Sequence, residues 1–404
     1  MISVDEALTR ILSVFAPLPP ETVAVNESLG RVLAADVTAR VTQPPAAVSA
    51  MDGYAVRAED VAAVPARLAV VGEVPAGGRY AQALRPGEAV RIFTGAPLPD
   101  GGDTIVIQED TERTGETVAV KESAARGTYV RPAGLDFRSG DVGVAAGELV
   151  SVRDLGLIAA MNRPWVSVHR RPRVAVLATG DEVVMPGDPV GPSQIVSSNG
   201  LALCALVQAC GGEAVNLGIA ADSAESLRRL AAGAAGADLL VTTGGASVGE
   251  HDLIRSVLGE EGLDLDFWKI AMRPGKPLMF GNLRGTAMLG LPGNPVSSLV
   301  CGLLFVRPIL ERLQGLQRPA HPTEPAVLAE DLGANDRRQD YLRATLERDE
   351  NGRLLARPFP KQDSSMLATL ARADALVVRA PHAAALAAGE RVELLRFPSG
   401  LRSI

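Results

Sequence analysis

The chain has 404 residues, 47% of them hydrophobic, and a formal net charge of −7. That length predicts two to four domains with sizeable cores, while an acidic, aromatic-poor composition argues against non-specific nucleic-acid binding, which needs a basic surface and stacking rings. No apolar run approaches the roughly 20 residues of a membrane span, the N-terminus lacks the basic and apolar regions of a secretory signal, and three cysteines without a C-x-x-C pair point to a reducing, cytoplasmic setting with no zinc site.

Ser3 and Glu6 form a capping-box pattern before Val4, Ala7, Leu8, Ile11 and Leu12, so a helix is predicted to about Phe15. Val23–Val25 and Arg31–Val41 read as extended. Gln43-Pro44-Pro45 marks a boundary, and Asp52-Gly53 is a turn signal before a strand. Short β-like runs follow at Arg67–Val71, Ala89–Phe93, Thr104–Gln108 and Thr117–Val120, with a rigid loop at Thr94–Pro99 and a turn-rich close at Arg131–Asp136. They read as a small β-rich domain. A predicted helix at Asp154–Met161 and strand at Trp165–His169 would join the first forty residues in one discontinuous domain.

From Arg173 the pattern alternates. Val174–Ala178 is a predicted strand, Leu201–Cys210 an apolar helix stopped by Gly211-Gly212, Ala214–Leu217 a strand, and Asp222 with Glu225 the cap of another helix. Leu239–Val241 is a buried strand ending in Thr242-Thr243-Gly244-Gly245, and Ser247 with Glu250 is a further capping box. Leu263–Ile270, Leu278–Phe280 and Ala287–Leu291 are strand-like, and Pro292-Gly-Asn-Pro295 opens a long apolar helix that Pro308 should kink or end. Such alternation predicts a parallel sheet covered on both faces, with ligands outside the carboxyl ends of its strands. The loops Thr179–Glu182, Ala221–Asp222, Thr243–Ser247 and Pro292–Pro295 should therefore share one rim. After Pro319–Pro322, five short strands between Ala326 and Leu395 predict a β-barrel or sandwich of roughly 80 residues.

Gly244 and Gly245 would let main-chain N–H groups approach an anion at the next helix N-terminus, with Ser247 at its start and Asp252 in its first turn. Two adjacent glycines alone describe an ordinary tight turn equally well. Lys269, Arg273 and Lys276 gather three cations around a Pro-Gly turn, suited to an oxyanion but also compatible with a solvated basic loop. Asp52, Asp136, Glu182, Asp222 and Asp252 each stand in turn or helix-start contexts. Beside phosphates such carboxylates need a hard cation, usually Mg²⁺; each alone is an ordinary cap or turn residue. No serine elbow, Cys–His pair or NTPase phosphate loop is present.

Six segments, in order, carry a resemblance: Ser49-Ala-Met-Asp-Gly-Tyr-Ala-Val56, Arg91-Ile-Phe-Thr-Gly-Ala-Pro97, Thr179-Gly-Asp-Glu182, Thr243-Gly-Gly-Ala-Ser-Val-Gly-Glu250 with His251-Asp252, Arg273-Pro-Gly-Lys-Pro277, and Leu291-Pro-Gly-Asn-Pro295. Through them the chain resembles the molybdopterin molybdenumtransferases, the MoeA-type enzymes that include the gephyrin E domain. The resemblance implies an elongated discontinuous domain (1–43 and 137–170), a β-rich domain (44–136), a parallel α/β molybdopterin-binding domain (171–318) and a C-terminal β-barrel (319–404). It implies a homodimer whose cleft joins the α/β domain of one subunit to the β-domain of the other. The reaction implied takes adenylylated molybdopterin and molybdate to molybdenum cofactor, releasing AMP, with Mg²⁺ or another divalent cation, alongside other proteins of molybdenum cofactor biosynthesis.

By position, Asp52, Thr94 and Asp136 match β-domain cleft residues, and Glu182, Asp222 and Asp252 match catalytic carboxylates that would hold the metal. Lys269, Arg273 and Lys276 match basic substrate-binding positions beside Gly244, Gly245 and Ser247. Pro292 and Pro295 match a loop near the pterin, and Arg338 and Ser364 match the cleft edge. Two departures stand out: Arg273 replaces the Lys of many relatives, and Asp363 follows Gln362 where Gly is usual. Rival readings are the preceding adenylyl transfer onto molybdopterin and a receptor-gathering scaffold.

Overall fold

The computed structural model describes residues 1–75, 77–244, 253–316 and 322–397. The β-rich region is one six-stranded sheet, ordered Thr104–Ile107, Gly53–Val56, Glu88–Ile92, Ala66–Val74, Thr117–Val120 and Thr111–Thr114. Side chains alternate between its faces with period two. Tyr54, Val56 and Val106 therefore enter one core, while Ala55, Val90 and Ile105 enter another.

Pro20–Ala24 pairs antiparallel with Trp165–His169, and Val37–Thr38 pairs with Val142–Val144. Leu33, Val37, Phe137, Val144, Ile158 and Val168 share one core across this break in the chain. Helix Val152–Ala160 starts on a complete capping box, Ser151 with Asp154. The first helix, Val4–Ser13, begins on the Ser3 cap but belongs elsewhere. Its buried Val4, Ala7 and Ile11 pack with Val174, Leu203 and Leu304, and Ile2 bridges to Ile270. The segment expected to lie wholly in the elongated domain thus gives its opening helix to the α/β core. An amphipathic stripe says that a helix needs a core, not which one.

The α/β sheet is ordered Glu213–Ala220, Arg173–Thr179, Leu239–Thr243, Thr286–Leu291, Met279–Leu283 and Leu263–Trp268. The first four strands are parallel. Met279–Leu283 is antiparallel to both its neighbours, so Leu263–Trp268 runs the same way as the parallel set. Arg170 is bidentate on Asp238, at 2.8 and 2.6 Å, and Asp238 also accepts from the Arg173 N–H at 2.8 Å. That carboxylate ties the elongated region to the start of two central strands.

The long helix neither ends nor breaks at Pro308. It runs as Pro295–Cys301, a π-turn at Gly302–Val306, and Arg307–Leu313. Proline removes one N–H and crowds the carbonyl four residues back. The wider turn, in which the Arg307 N–H donates to Gly302 O five residues earlier, takes up that misfit inside a fully buried segment.

At the C-terminal end, Gln339–Arg348 pairs with both Leu354–Pro358 and Ala375–Arg379, and Glu324–Leu328 and Arg391–Arg396 complete the ring. The barrel is closed, which removes its edges. Met272–Arg273, from the α/β region, adds to it by parallel pairing with Gln339–Asp340.

Ile11 is fully buried. Ile11→Ala is expected to cost about 2–5 kcal/mol of stability in the α/β core, read by denaturant unfolding. A change within about 0.5 kcal/mol, typical of a surface position, would contradict this placement of the helix.

Candidate functional site

The sheet register decides which loops meet. Ala178 faces Thr243, Thr179 faces Ala220, and Thr243 faces Leu291. Gly290 faces Met279, which in turn faces Trp268. The loops that follow Thr179, Ala220, Thr243, Trp268 and Leu291 therefore emerge at one rim, as does the chain entering Met279.

At the centre of this rim Gly244 has φ +93°, and a Cβ there would lie 2.5 Å from Thr179 O, so only glycine fits. A Cβ on Gly293 would come within 3.4 Å of the Gly244 Cα, which shows how closely the two loops approach. Asn199 crosses between them, its Nδ2 donating to Gly293 O at 2.7 Å and Thr243 Oγ1 at 3.1 Å. Thr243 Oγ1 donates to Pro292 O at 3.3 Å and lies 3.2 Å from Ser298 Oγ. Thr179 Oγ1, buried beneath Gly244, has no hydrogen-bond partner among the described residues.

The carboxylates sit at the flank. The Asp222 N–H donates to Asp181 Oδ1 at 2.9 Å, and the Asp181 N–H donates to Asp222 Oδ2 at 3.4 Å, so each caps the other's loop. The helix after Asp222, Ala224–Ala231, is capped instead by Ser223, whose Oγ accepts from the Ser226 N–H at 3.2 Å. The expected cap thus shifts by one residue and leaves Asp222 exposed at the rim. Glu182, also exposed, curls over Gly180: a Cβ there would meet its Oε2 at 2.5 Å.

Lys269 begins the cationic turn in the left-handed region, φ +75°, with its Nζ 3.6 Å from the Trp268 ring centroid and Arg255 4.7 Å from the same ring. A non-glycine residue there is uncommon and marks a constrained position. The Lys269 N–H donates to Leu278 O, and the Ile270 and Leu278 N–H groups both donate to Lys276 O, each at 3.0 Å. Arg273 points away from this local network. Its guanidinium pairs with Asp340 through Nε, at 3.0 Å, and a second nitrogen, and reaches Asp336 at 3.5 Å.

In the β-rich sheet, Asp52 Oδ1 accepts from the Thr94 N–H at 2.7 Å and its hydroxyl at 2.8 Å. These two bonds, the backbone one first, and the nearby Arg91 charge hold its carboxyl below the ordinary 3.8. Arg91 stacks on Phe93 at 4.9 Å and Tyr54 at 5.3 Å, donating to Gly53 O and Gln108. Asp136 is exposed, and its N–H donates to Gln43 O at 3.0 Å. Among the described residues no hydrogen bond or ion pair joins Asp52, Thr94 or Asp136 to the α/β rim. Gly245, Ser247, the Ser247–Glu250 capping box and Asp252 lie outside the described residues.

Three family profiles cover this architecture in order: "MoeA N-terminal region (domain I and II)" over residues 2–162, "Probable molybdopterin binding domain" over 175–312, and "MoeA C-terminal region (domain IV)" over 325–397. Proteins named molybdopterin molybdenumtransferase from Nostoc sp. and Haemophilus influenzae are 36% and 33% identical. Those alignments cover 91% and 98% of this chain, and 87% and 99% of the relatives. The chain belongs to the MoeA family of molybdopterin molybdenumtransferases. A solved structure of the molybdopterin biosynthesis MoeA protein from Pyrococcus horikosii superposes with a TM-score of 0.85 at 35% identity, covering 99% of this chain and all of that one. A Pyrococcus furiosus molybdenum cofactor biosynthesis protein, at 20% identity and TM-score 0.61, shares the fold.

Within this MoeA-family chain, the barrel reaches the rim through Ser364. Its Oγ accepts from Asn294 Nδ2 at 2.8 Å, and its carbonyl accepts from the Val296 N–H at 3.0 Å at the start of the long helix. Arg338 is paired with Asp336 at 2.8 Å. Asn199, Asp181 and Arg91 are not among the site residues expected from the sequence. Asn199 carried a signal as the polar residue opening an all-apolar helix, and Asp181 and Arg91 stood inside quoted segments.

Thr94→Val keeps the backbone donor and removes the hydroxyl. Asp52, followed by NMR titration, should ionise below 3.8 in the parent and shift upward in the variant. Because the folded value is depressed, the ionised form stabilises the fold above the unfolded value, and that contribution is lost as pH falls through the folded one. An unchanged titration would contradict the hydrogen-bond assignment.

Proposed function

We propose that this protein inserts molybdenum from molybdate into adenylylated molybdopterin, releasing AMP and giving molybdenum cofactor, in the cytoplasm alongside other proteins of that biosynthesis. The observation that carries the reading is the convergence of Gly244, Asp222, Glu182, the Pro292–Pro295 loop and the Lys269–Lys276 turn at one rim of a MoeA-family α/β domain.

Lys269 and Lys276 supply positive charge for the oxyanion. Gly244 brings the backbone close to phosphate, and the sequence assigns Gly245 and Ser247 to the same role. Pro292, Pro295, Arg338 and Ser364 shape the pterin side. Among the described residues no three His, Cys, Asp or Glu side chains form a metal cage. Glu182 and Asp222 are exposed hard-oxygen donors, which suits Mg²⁺ held by one or two carboxylates, water and substrate phosphates, with Asp252 as a further donor. When bound, such an ion would polarise the phosphoanhydride. The chain's own contribution is to orient pterin and oxyanion and to face developing charge with fixed groups.

Among the described residues Asp52, Thr94 and Asp136 have no bonded link to the rim, which fits a homodimer in which each cleft takes its β-rich wall from the second subunit. Asp52→Ala and Asp222→Ala should each depress molybdenum insertion strongly with folding intact. Mixing and re-associating the two inactive variants should restore turnover, because a hybrid dimer has one cleft free of both changes. No recovery in verified hybrids would reject the shared cleft, and formation of AMP-capped pterin from ATP and molybdopterin alone would favour the adenylyl-transfer rival.

A further inference from the structure

The Lys269–Lys276 turn is closed by its own backbone bonds at Lys269, Ile270 and Leu278, yet its only charged clamp among the described residues comes from the C-terminal barrel. Met272–Arg273 pairs in parallel with Gln339–Asp340, and the Gln339 N–H donates to Ala271 O at 2.9 Å. Across that ladder Asp340 Oδ2 takes two guanidinium N–H groups of Arg273. The Asp340 side chain is 4% exposed, while that of Arg273 is 46% exposed. Asp340 Oδ1 is buried with no partner among the described residues. Burial raises the Asp340 carboxyl pKa and the Arg273 hydrogen bond is the main opposition to that rise, with a smaller contribution from the Arg338 charge, so the carboxylate leans chiefly on Arg273.

A guanidinium committed in this way is a poor oxyanion ligand. Neither Lys269 nor Lys276 has a carboxylate partner among the described residues. Resting on the proposed reaction, we infer that Asp340, acting through Arg273, is a positioning residue: it fixes the cationic turn against the barrel so that Lys269 and Lys276 are left to meet molybdate. Arg in place of Lys at 273 supplies the planar donor pair that the buried carboxylate needs.

The full-length protein tests this in two readouts, amide hydrogen exchange without ligand, and KM for molybdate against kcat. Arg273→Gln and Asp340→Asn should each speed exchange at Ile270 and Leu278 by roughly tenfold, as a local opening would. Each should raise the molybdate KM by a similar factor with kcat nearly unchanged, and the double variant should be no worse than the poorer single one. Unchanged exchange in ligand-free Arg273→Gln, whose half-exposed side chain makes it the safer variant to fold, overturns the proposal. So does additivity, or a KM defect in Arg273→Gln that Asp340→Asn does not share, since both mark Arg273 as a direct oxyanion contact. Faster exchange in both variants, with a parent protein that makes no molybdenum cofactor, would reject the reaction while leaving the clamp in place.

Discussion

Parallel pairing among four neighbouring strands is the constraint on which the rest of the molecule depends. A parallel ladder fixes direction as well as register, so Thr179, Ala220, Thr243 and Leu291 must end at the same edge. Every loop that follows them is delivered there whatever its sequence. Buried on both faces, these strands read as near-continuous apolar runs such as Arg173–Thr179 and Leu239–Thr243. The polar and glycine residues at their ends are therefore free to be chosen for chemistry.

That edge is shaped by small and rigid groups more than by bulky ones. Gly244 and Gly293 bring two loops together, Asn199 bridges them, and the mutual Asp181–Asp222 bonds hold the flank. Two other parts of the chain reach it, and they share one core, in which Val4, Ala7 and Ile11 cluster with Tyr341, Leu376 and Leu395. The barrel supplies Ser364 to the Pro292–Pro295 loop and Asp340 to the cationic turn. The first helix packs beneath the same sheet and pins Ile270 through Ile2. The turn is thus held at Ile270 and at Arg273 by elements distant in sequence.

The order of strands and helices was legible because hydrophobic period and turn residues are local. The C-terminal strands were legible for the same reason, as five short apolar runs separated by turns, but those runs suit a sandwich as well as the closed barrel they form. Partner choice was not. Val4–Ser13 shows a stripe that would suit either neighbouring core. Arg273 reads as one of three cations until Asp340, 67 positions away, is found across the ladder. Asp222 and Ser223 are both good caps, and only the backbone decides between them. Pro308 reads as a kink or an end of the helix, because the pattern does not reveal that a buried helix can widen by one residue and continue to Leu313.

The most direct measurement is anomalous diffraction from crystals grown with molybdate. An ordered molybdenum peak beside Lys269 and Lys276, at the carboxyl ends of Leu239–Thr243 and Thr286–Leu291, is the predicted result. A peak confined to another surface, with this rim empty at saturating molybdate, would contradict the account.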